Sequence, residues 1–330
     1  MATDPLRIGV VGVGSLGFHH ARILAAMEGI ELAGIHDIRP GRLEEVSAQL
    51  GVTAVPELDR LLDGITACVI AVPTEAHESV ALAALERGIH VLIEKPIAPS
   101  LEAADRILAA AKRSGARVQI GHVERFNGAL RACEPYIDEP LFVESHRLAP
   151  FGPRGTDVAV VLDLMIHDLD LVLSLMRRKV TTIAAVGVPV LTASPDIANA
   201  RLEFEGGGVA NLTASRVSLE RMRKIRFFQR SGYISLDLAG GTGEFLRLRG
   251  GALMEPGVPL AAARLEEIIE RVPLRGDGGE PLRAELESFA AALRGETAIT
   301  VTGQDGRRAL AAALEIVKRI EANVAHRSLA

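Results

Sequence analysis

The beginning of this chain combines a short apolar run with a glycine-rich turn. The mostly apolar run, Arg7–Gly12, ends in the sequence Gly-Val-Gly-Ser-Leu-Gly at positions 12–17, and an apolar helical stretch continues from there to about Met27. A run of this length suits a strand that is buried on both faces, and a G-x-G-x-x-G turn between a strand and a helix opens a βαβ unit. This start restricts the chain to folds built on a parallel sheet that is covered by helices.

Alternating segments continue this pattern through the first third of the chain. Strands that alternate with helices predict a doubly wound parallel sheet with right-handed crossovers. We therefore expect an α/β protein in which residues 1–122 form a dinucleotide-binding Rossmann domain. Its further strands are predicted at Ile30–His36, Ala67–Val72, His90–Ile93 and Arg117–Ile120, with helical segments such as Ala76–Arg87 and Leu101–Arg113 between them.

The remainder, residues 123–330, is predicted to be an α+β domain for substrate binding and oligomerisation. A helix over residues 158–176 precedes two hairpins, Arg201–Ser215 and Lys224–Leu238, and two helices, Pro281–Arg294 and Asp305–Ala325, close the chain. Apolar and polar residues alternate in the last of these strands, which predicts an open, mostly antiparallel sheet with one polar face. A bare sheet face leaves apolar side chains in water, so we expect a second copy to cover it in a homodimer or homotetramer.

Composition excludes several classes of protein. Charges nearly balance over the 330 residues, since 37 Lys and Arg against 42 Asp and Glu give −5. Nucleic-acid binders normally carry a strong basic excess, so no nucleic-acid partner is expected. No uncharged apolar stretch approaches the ~20 residues of a membrane span, and we expect no signal peptide before the first strand. The cysteines, Cys68 and Cys133, provide no disulfide framework, so we expect a cytoplasmic protein without a membrane partner.

The glycine-rich turn predicts a nicotinamide dinucleotide cofactor. Gly12 permits the tight turn, Gly14 lets the backbone approach a pyrophosphate, and Gly17 allows close packing of the helix on the strand. Asp37 ends the second strand, 37 − 17 = 20 residues after the last glycine. A carboxylate at that position accepts hydrogen bonds from the adenosine ribose and repels a 2′-phosphate. NAD is therefore expected rather than NADP, a preference that Arg39 could soften.

Ionisable side chains at a strand end and on one helix predict a reaction site. Lys95 directly follows a strand, and ligands bind at the carboxyl ends of strands in sheets of this kind. On the helix over residues 158–176, Asp163, His167 and Asp170 share one stripe, and Asp163 can orient His167 at i+4 to accept a proton. Asp168 points away and is expected at the surface or at a domain contact. No further Cys or His stands at ligand spacing, so no metal is expected.

These motifs resemble those of the Gfo/Idh/MocA oxidoreductases, a family that includes glucose–fructose oxidoreductase and inositol dehydrogenase. The resemblance covers residues 7–170, and it implies an NAD(P)-dependent oxidoreductase that acts on the CH–OH group of a sugar or polyol. The matching pieces, in the family's order, are Gly12–Gly17, Val72-Pro73-Thr74…His77, Glu94-Lys95-Pro96, Gly121-His122…Arg125-Phe126 and Asp163…His167.

The resemblance also implies roles for individual residues. Lys95 would hydrogen-bond the reacting hydroxyl as a cation, His167 would be the acid/base, and Asp163 would be its partner and a substrate contact. Glu94 would lie near the nicotinamide ribose, Lys95–Pro96 would be a cis peptide, and His122 would contact the substrate. The predicted cofactor-binding residues are Gly12, Gly14, Ser15, Leu16, Gly17, Asp37, Arg39, Pro73, Thr74, His77, Glu94 and Lys95.

A narrower resemblance extends from His146 to Asp170 and includes Arg147 and Arg154. It is similar to the family members that oxidise the 3-hydroxyl of UDP-N-acetylglucosamine and supply an aminotransferase in lipid A synthesis. Guanidinium groups bind phosphate oxygens in pairs, so both arginines could hold a diphosphate; the alternative is that both are ordinary surface residues. Two other functions stay open, a dehydrogenase of inositol or another free sugar and a non-catalytic NAD-sensing protein of the same fold.

Overall fold

The computed structural model describes residues 5–152, 158–249 and 268–328. The chain divides into two compact units, one of residues 1–123 with 280–310 and one of residues 124–279 with 311–330. The sequence had assigned all of 123–330 to the second domain. Residues 280–310 instead join the first unit, because Leu286 and Phe289 are buried in the same apolar core as Ile23 and Leu24.

Unit 1 is built on a five-stranded parallel sheet in the order β2-β1-β3-β4-β5. This confirms the predicted doubly wound sheet. Its strands are β1 (Leu6–Val11), β2 (Ile30–His36), β3 (Ala67–Ile70), β4 (His90–Glu94) and β5 (Val118–Gly121). Its helices are α1 (Ser15–Ala25), α2 (Pro40–Leu50), α3 (Leu58–Leu62), α4 (His77–Leu85) and α5 (Leu101–Ser114), together with α8 (Pro281–Arg294) from the end of the chain.

Local sequence explains why these elements form where they do. The last four residues of β1 and all of β3 are buried, as a strand covered on both faces requires. Helix α5 begins at Ser100, whose hydroxyl accepts a hydrogen bond from Ala103 N at 3.2 Å, and it ends at Gly115 in the left-handed conformation. The chain leaves β1 on opposite sides toward β2 and β3, so the carboxyl ends of β1 and β3 form the switch point where ligands bind.

Unit 2 is built on an eight-stranded mixed sheet in the order β13-β12-β11-β10-β6-β9-β8-β7. Among the described strands of this sheet only β6 and β9 pair in parallel, so the predicted mostly antiparallel sheet is confirmed. Its strands are β6 (Phe142–Leu148), β7 (Val180–Val188), β8 (Ile197–Phe204), β9 (Val209–Ser215), β10 (Met222–Gln229), β11 (Gly232–Asp237), β12 (Thr242–Leu248) and β13 (Ile269–Arg275). Its helices are α6 (Gly128–Cys133) and α7 (Ile166–Met176), and the last helix of the chain is α9 (Gly303–Ser328).

The two faces of this sheet differ in character. On β6, Val143, Ser145 and Arg147 are buried, whereas the intervening residues are partly exposed. Helix α7 packs against β6 and β9, so one face is covered within the unit. The other face carries polar pairs and a row of aromatic rings. Among the helices that the structure describes, none is both long and apolar enough to cross a bilayer.

Candidate active site

The glycine-rich turn between β1 and α1 has the geometry of a pyrophosphate cradle. Gly12 has φ +85°, and a Cβ there would lie 2.7 Å from the Ala71 carbonyl oxygen, while a Cβ on Gly17 would overlap the carbonyl oxygen of Gly12. A Cβ on Gly14 would meet only the Arg39 Nη2, at 3.7 Å, which leaves room beside the turn. Among the described residues no side chain caps α1, and the positive end of the helix dipole at this end favours an anion. The cradle therefore fits a dinucleotide.

Asp37, just after β2, is tied to this turn. Its Oδ2 accepts a hydrogen bond from Val13 N at 3.0 Å, and Oδ1 accepts from Arg39 N and Nε, each at 3.0 Å. Burial opposes ionisation, but these hydrogen bonds and the Arg39 charge hold the pKa of Asp37 below its ordinary value. Arg39 is largely exposed and folds back onto the carboxylate. Asp37, which the sequence spacing assigned to ribose binding, is thus an ionised carboxylate beside the glycine turn.

His77 joins the two loops that follow β3 and β4. Its Nδ1 lies 2.9 Å from the Pro96 carbonyl oxygen and its Nε2 lies 3.0 Å from that of Val72. Burial lowers the pKa of His77 despite these acceptors, so the neutral ring donates to one of the two carbonyls. Of the other predicted residues here, Pro73 is exposed and Thr74 half-buried. His77 itself is 1 % exposed, so it acts by fixing both loops at the switch point.

Lys95 stands at the end of β4 and is half-buried. Its bond to Pro96 is cis, as the resemblance implied. The preceding residue, Glu94, points into unit 1, where its Oε1 lies 2.7 Å from His20 Nε2 and its Oε2 accepts from Lys95 N at 3.2 Å. Burial opposes ionisation, but the hydrogen bond and charge of His20 hold the pKa of Glu94 below its ordinary value. The lysine is therefore carried on a strand end whose neighbouring carboxylate is anchored in the core.

In unit 2, Asp163 and His167 are both half-buried but do not lie on one regular α-helix. Residues Val161–Met165 form a π-helical turn, and α7 begins only at Ile166. Such wide turns are frequent at functional sites. The i, i+4 spacing assumed from the sequence therefore does not describe the backbone here. Asp170, the third member of the predicted stripe, is buried and ion-paired with Arg125 through contacts of 2.5 and 2.9 Å.

Arg147 is part of a buried charge cluster. It is 3 % exposed and donates to both oxygens of Asp168, at 2.7–3.2 Å, and to Glu124 Oε1 at 2.8 Å. Burial opposes the charge, but the two carboxylates hold the pKa of Arg147 above its ordinary value. The interpretation of Arg147 as a surface arginine is wrong, and so is the expectation of Asp168 at the surface, since Asp168 is 2 % exposed. Contact of Arg147 with a diphosphate stays a prediction.

Two further predicted substrate contacts are His122 and Arg154. His122 lies directly after β5 and is 1 % exposed. Arg154 lies outside the described residues. Neither assignment is tested by the geometry, and both stay predictions.

Comparison with known proteins identifies the family. The profile of an oxidoreductase family with an NAD-binding Rossmann fold matches residues 6–122, and that of the GFO/IDH/MocA C-terminal domain matches residues 110–235. UDP-N-acetylglucosamine 3-dehydrogenase of Acidithiobacillus ferrooxidans is 37% identical over 318 residues, which cover 96% of this chain and 98% of that protein. The chain belongs to the Gfo/Idh/MocA oxidoreductases. As a member of that family it is an NAD-dependent dehydrogenase that acts on hydroxyl groups.

Solved structures agree with this assignment. The structure of the A. ferrooxidans enzyme superposes on this chain with a TM-score of 0.88. The match covers 97% of this Gfo/Idh/MocA chain and 99% of the enzyme's chain. The scyllo-inositol dehydrogenase of Lactobacillus casei with bound NAD(H) and scyllo-inositol superposes with a TM-score of 0.77 at 21% identity, which shows the shared fold. By sequence, scyllo-inositol 2-dehydrogenase of Bacillus subtilis is 28% identical over 64% of this chain and 68% of its own length.

The sequence missed several buried residues of this Gfo/Idh/MocA chain that organise the site. His20 and Glu285 lie beside Glu94, and Glu124 binds Arg147. His20 follows the glycine turn on the side of α1 that faces the core, and this location could have drawn attention to it. Nothing local marks Glu285, which stands in an ordinary amphipathic helix.

Proposed function

We propose that this chain oxidises the 3-hydroxyl of UDP-N-acetylglucosamine to the corresponding keto sugar, with NAD as the acceptor. Similarity to the A. ferrooxidans enzyme carries this proposal, because it runs through the C-terminal half, where the second unit lies. In sequence, the scyllo-inositol 2-dehydrogenase of Bacillus subtilis matches a smaller share of the chain, 64%. An inositol or free-sugar dehydrogenase is therefore the alternative within the family.

Residues of unit 1 would hold the dinucleotide. Gly12, Gly14 and Gly17 leave room for the pyrophosphate at the start of α1, and Asp37 presents its carboxylate to the adenosine ribose. Bound NAD⁺ supplies the acceptor for a hydride. Ser15, Leu16, Arg39, Pro73, Thr74, His77, Glu94 and Lys95 complete the proposed cofactor-binding set.

The catalytic roles follow from chemistry at three ionisable groups. In the proposed reaction the C3–H bond breaks and its electron pair leaves as hydride, while the O–H proton passes to His167 and a C=O bond forms. Asp163 orients the His167 ring, and Lys95 stabilises the developing alkoxide as a fixed cation. A non-catalytic NAD sensor has no chemical need for this trio, which favours an enzyme over a sensing protein.

Arginines of unit 2 are proposed to recognise the diphosphate. Arg147 and Arg154 remain the candidates from the sequence, with His122 as a further substrate contact. Arg223 on β10 lies opposite Arg147 on β6, and its side chain is 43% exposed. It makes one hydrogen bond to Glu124 Oε1, at 3.4 Å, so further N–H groups stay available to phosphate oxygens. The guanidinium of Arg147 already binds the carboxylates of Asp168 and Glu124. It would hold the Glu124 carboxylate in place for its contact with Arg223.

The proposed setting is the cytoplasm, and a 3-keto product calls for an enzyme that consumes it. An aminotransferase that converts the keto group to an amine fits this chemistry and the resemblance to lipid A synthesis. We propose a functional coupling to such an enzyme. No nucleic-acid or membrane partner is part of this proposal.

We further propose that the open face of the unit 2 sheet joins copies of the chain into a homodimer or homotetramer. Phe142, Phe228 and Tyr233 lie in a row on that face, with ring centroids 5.3 and 4.7 Å apart. Phe228 is 38 % exposed, and contiguous apolar surface of this kind is typical of interfaces. Light scattering at micromolar concentration is expected to give two or four times 35.1 kDa, and a mass of 35.1 kDa would reject the interface.

The experiment that tests the substrate is NAD reduction, followed by absorbance, over UDP-N-acetylglucosamine, other UDP-sugars, glucose and inositol. A glutamate-driven aminotransferase is included, because oxidation to a ketone can be unfavourable on its own. Turnover with UDP-N-acetylglucosamine alone is the expected result. Turnover with inositol would move the chain to the alternative, and NAD binding without turnover across the panel would favour the sensing function.

A further inference from the structure

A buried acidic side chain lies in unit 1 next to the anchored Glu94. Glu285, on α8, is 0 % exposed. One oxygen of its carboxylate, one ring nitrogen of His20 and one carboxylate oxygen of Glu94 all lie within 4.8 Å of one another. Neither oxygen of Glu285 has a hydrogen-bond partner in the part of the chain that the structure describes. The nearby Gln119 amide donates to the backbone oxygen of Glu285 at 3.2 Å, so it does not serve the carboxylate.

The groups around the Glu285 carboxylate do not compensate a second negative charge beside that of Glu94. Glu94 already takes the contact from His20 Nε2, at 2.7 Å, and no Lys or Arg pairs with Glu285 among the described residues. An ionised carboxylate without a cation or a hydrogen-bond donor is very costly in a protein core. Burial and the charge of Glu94 raise the pKa of Glu285 well above its ordinary value, in agreement with this geometry.

We propose that Glu285 is a positioning residue that works as an un-ionised carboxylic acid, packed against the His20–Glu94 pair to hold the end of β4 on which Lys95 stands. Three elements meet at this cluster: α1, which follows the glycine turn, β4, which ends at Glu94, and α8, which comes from the far end of the chain. His20 joins α1 to β4 through its contact with Glu94 at 2.7 Å, and Glu285 on α8 packs against that pair without adding a second negative charge. The cluster therefore ties the cofactor-binding helix to the strand that carries the lysine.

The protonation state predicts an unusual dependence of stability on pH. Glu285 is ionised in the unfolded chain above its ordinary value of 4.5 but stays protonated in the folded chain. Its contribution to stability is complete below the unfolded pKa and is lost as pH rises toward the folded pKa. The other titratable groups here are His20 and Glu94 in the cluster, with Lys95 and His77 beside Glu94, and all four are present in both the wild type and a variant at position 285.

Glu285→Gln, which is uncharged at every pH, tests this directly. Urea unfolding of wild type, E285Q and E287Q is compared between about pH 5.5 and 7.5; Glu287 lies on the same helix, is exposed and serves as the control. The unfolding constant of the wild type divided by that of E285Q is expected to rise about tenfold per pH unit. E285Q therefore becomes the more stable of the two proteins, relative to the wild type, as the pH increases. A deficit of E285Q that does not change with pH would overturn the proposal, because it would show an ionised Glu285.

Two further measurements separate the remaining explanations. At about pH 7.5 the infrared spectrum of the wild type is expected to show the carbonyl band of an un-ionised carboxylic acid, and the spectrum of E285Q is expected to lack it. Absence of that band from the wild type contradicts the proposal. Zinc is the probe for a cation in the same cluster. One equivalent bound by the wild type and none by E285Q would assign the site to a metal and overturn the proposal, whereas no binding by either supports it.

The positioning role rests on the proposed function of Lys95 and has its own readout. E285A is expected to lower kcat about tenfold or more with little change in the Kd for NAD, and E285Q is expected to restore kcat. A folded E285A with wild-type kcat would remove the positioning role. The unfolding and infrared results need no substrate, so they stand even if the proposed reaction is not found.

Discussion

Replacement of Arg147 by Met is expected to destabilise the protein far more than loss of a surface charge would. Met removes the cation but keeps most of the side-chain volume. Asp168 loses three hydrogen bonds of 2.7–3.2 Å and Glu124 loses one of 2.8 Å. Glu124 keeps Asn127 Nδ2 at 3.1 Å and Arg223 Nη1 at 3.4 Å, but among the described residues no other cation pairs with Asp168, which is 2 % exposed. Leaving one charge of a buried pair uncompensated costs about 3–5 kcal/mol.

The assay is urea unfolding followed by circular dichroism at neutral pH. A loss of about 3–5 kcal/mol is a large part of the ~5–15 kcal/mol that stabilises a typical domain, so the midpoint should fall clearly. The double variant R147M/D168N removes the orphaned charge and is expected to recover much of the loss. R147E is not a useful comparison because it adds a third carboxylate; R226M, at a half-exposed arginine paired with Glu144, is the matched control.

Variants of Arg147 also distinguish a structural role of this residue from direct contact with the diphosphate. A loss below about 1 kcal/mol in R147M, with no recovery in the double variant, would refute the reasoning from buried charge. If R147K then stayed folded and raised KM for the nucleotide sugar about tenfold, direct contact with the diphosphate would be the better explanation.

The remaining predictions concern the cofactor and the reaction. Gly17→Ala is expected to abolish NAD binding in calorimetry, because its Cβ would overlap a backbone oxygen, whereas Gly41→Ala has open space and should bind normally. Asp37→Ala is expected to weaken NAD binding about tenfold or more and to reduce discrimination against NADP; tighter binding of NADP than NAD by the wild type would contradict that role. Lys95→Ala and His167→Ala are each expected to lower kcat about a hundredfold or more without loss of NAD binding, and near wild-type turnover in either rejects its role.

The N-terminal part of unit 1 could be predicted from the sequence because its signals are local, whereas the return of residues 280–310 to this unit was not predicted. The strand Ile30–His36 has the same bounds in the structure, and the glycine turn and Asp37 are spaced by a single βαβ unit. The cis bond before Pro96 came from the family resemblance, not from the residues themselves. Short buried strands between amphipathic helices leave little choice of pairing in a parallel sheet.

Unit 2 was predicted only in outline, since its signals are long-range. The segment Phe142–Leu148 carries four polar residues in a row, so its alternating burial and its central position follow only from its pairing with β9 and β10. Hydrogen bonding of the backbone, not side-chain pattern, marks the π-helical turn at Val161–Met165. The same limit applies to buried charges. Arg147 finds its partners 21 and 23 residues away, so its sequence context suggested a free guanidinium.

Transfer of the C3 hydrogen of UDP-N-acetylglucosamine is the measurement that tests the central claim most directly. The enzyme is supplied with NAD and with substrate that carries deuterium at C3, and the reduced cofactor is analysed by mass spectrometry. The account predicts one deuterium in each NADH formed and a slower hydride step than with unlabelled substrate. Unlabelled NADH from the same substrate would show that another carbon is oxidised, and no NADH at all, with the cofactor bound, would contradict the proposed reaction.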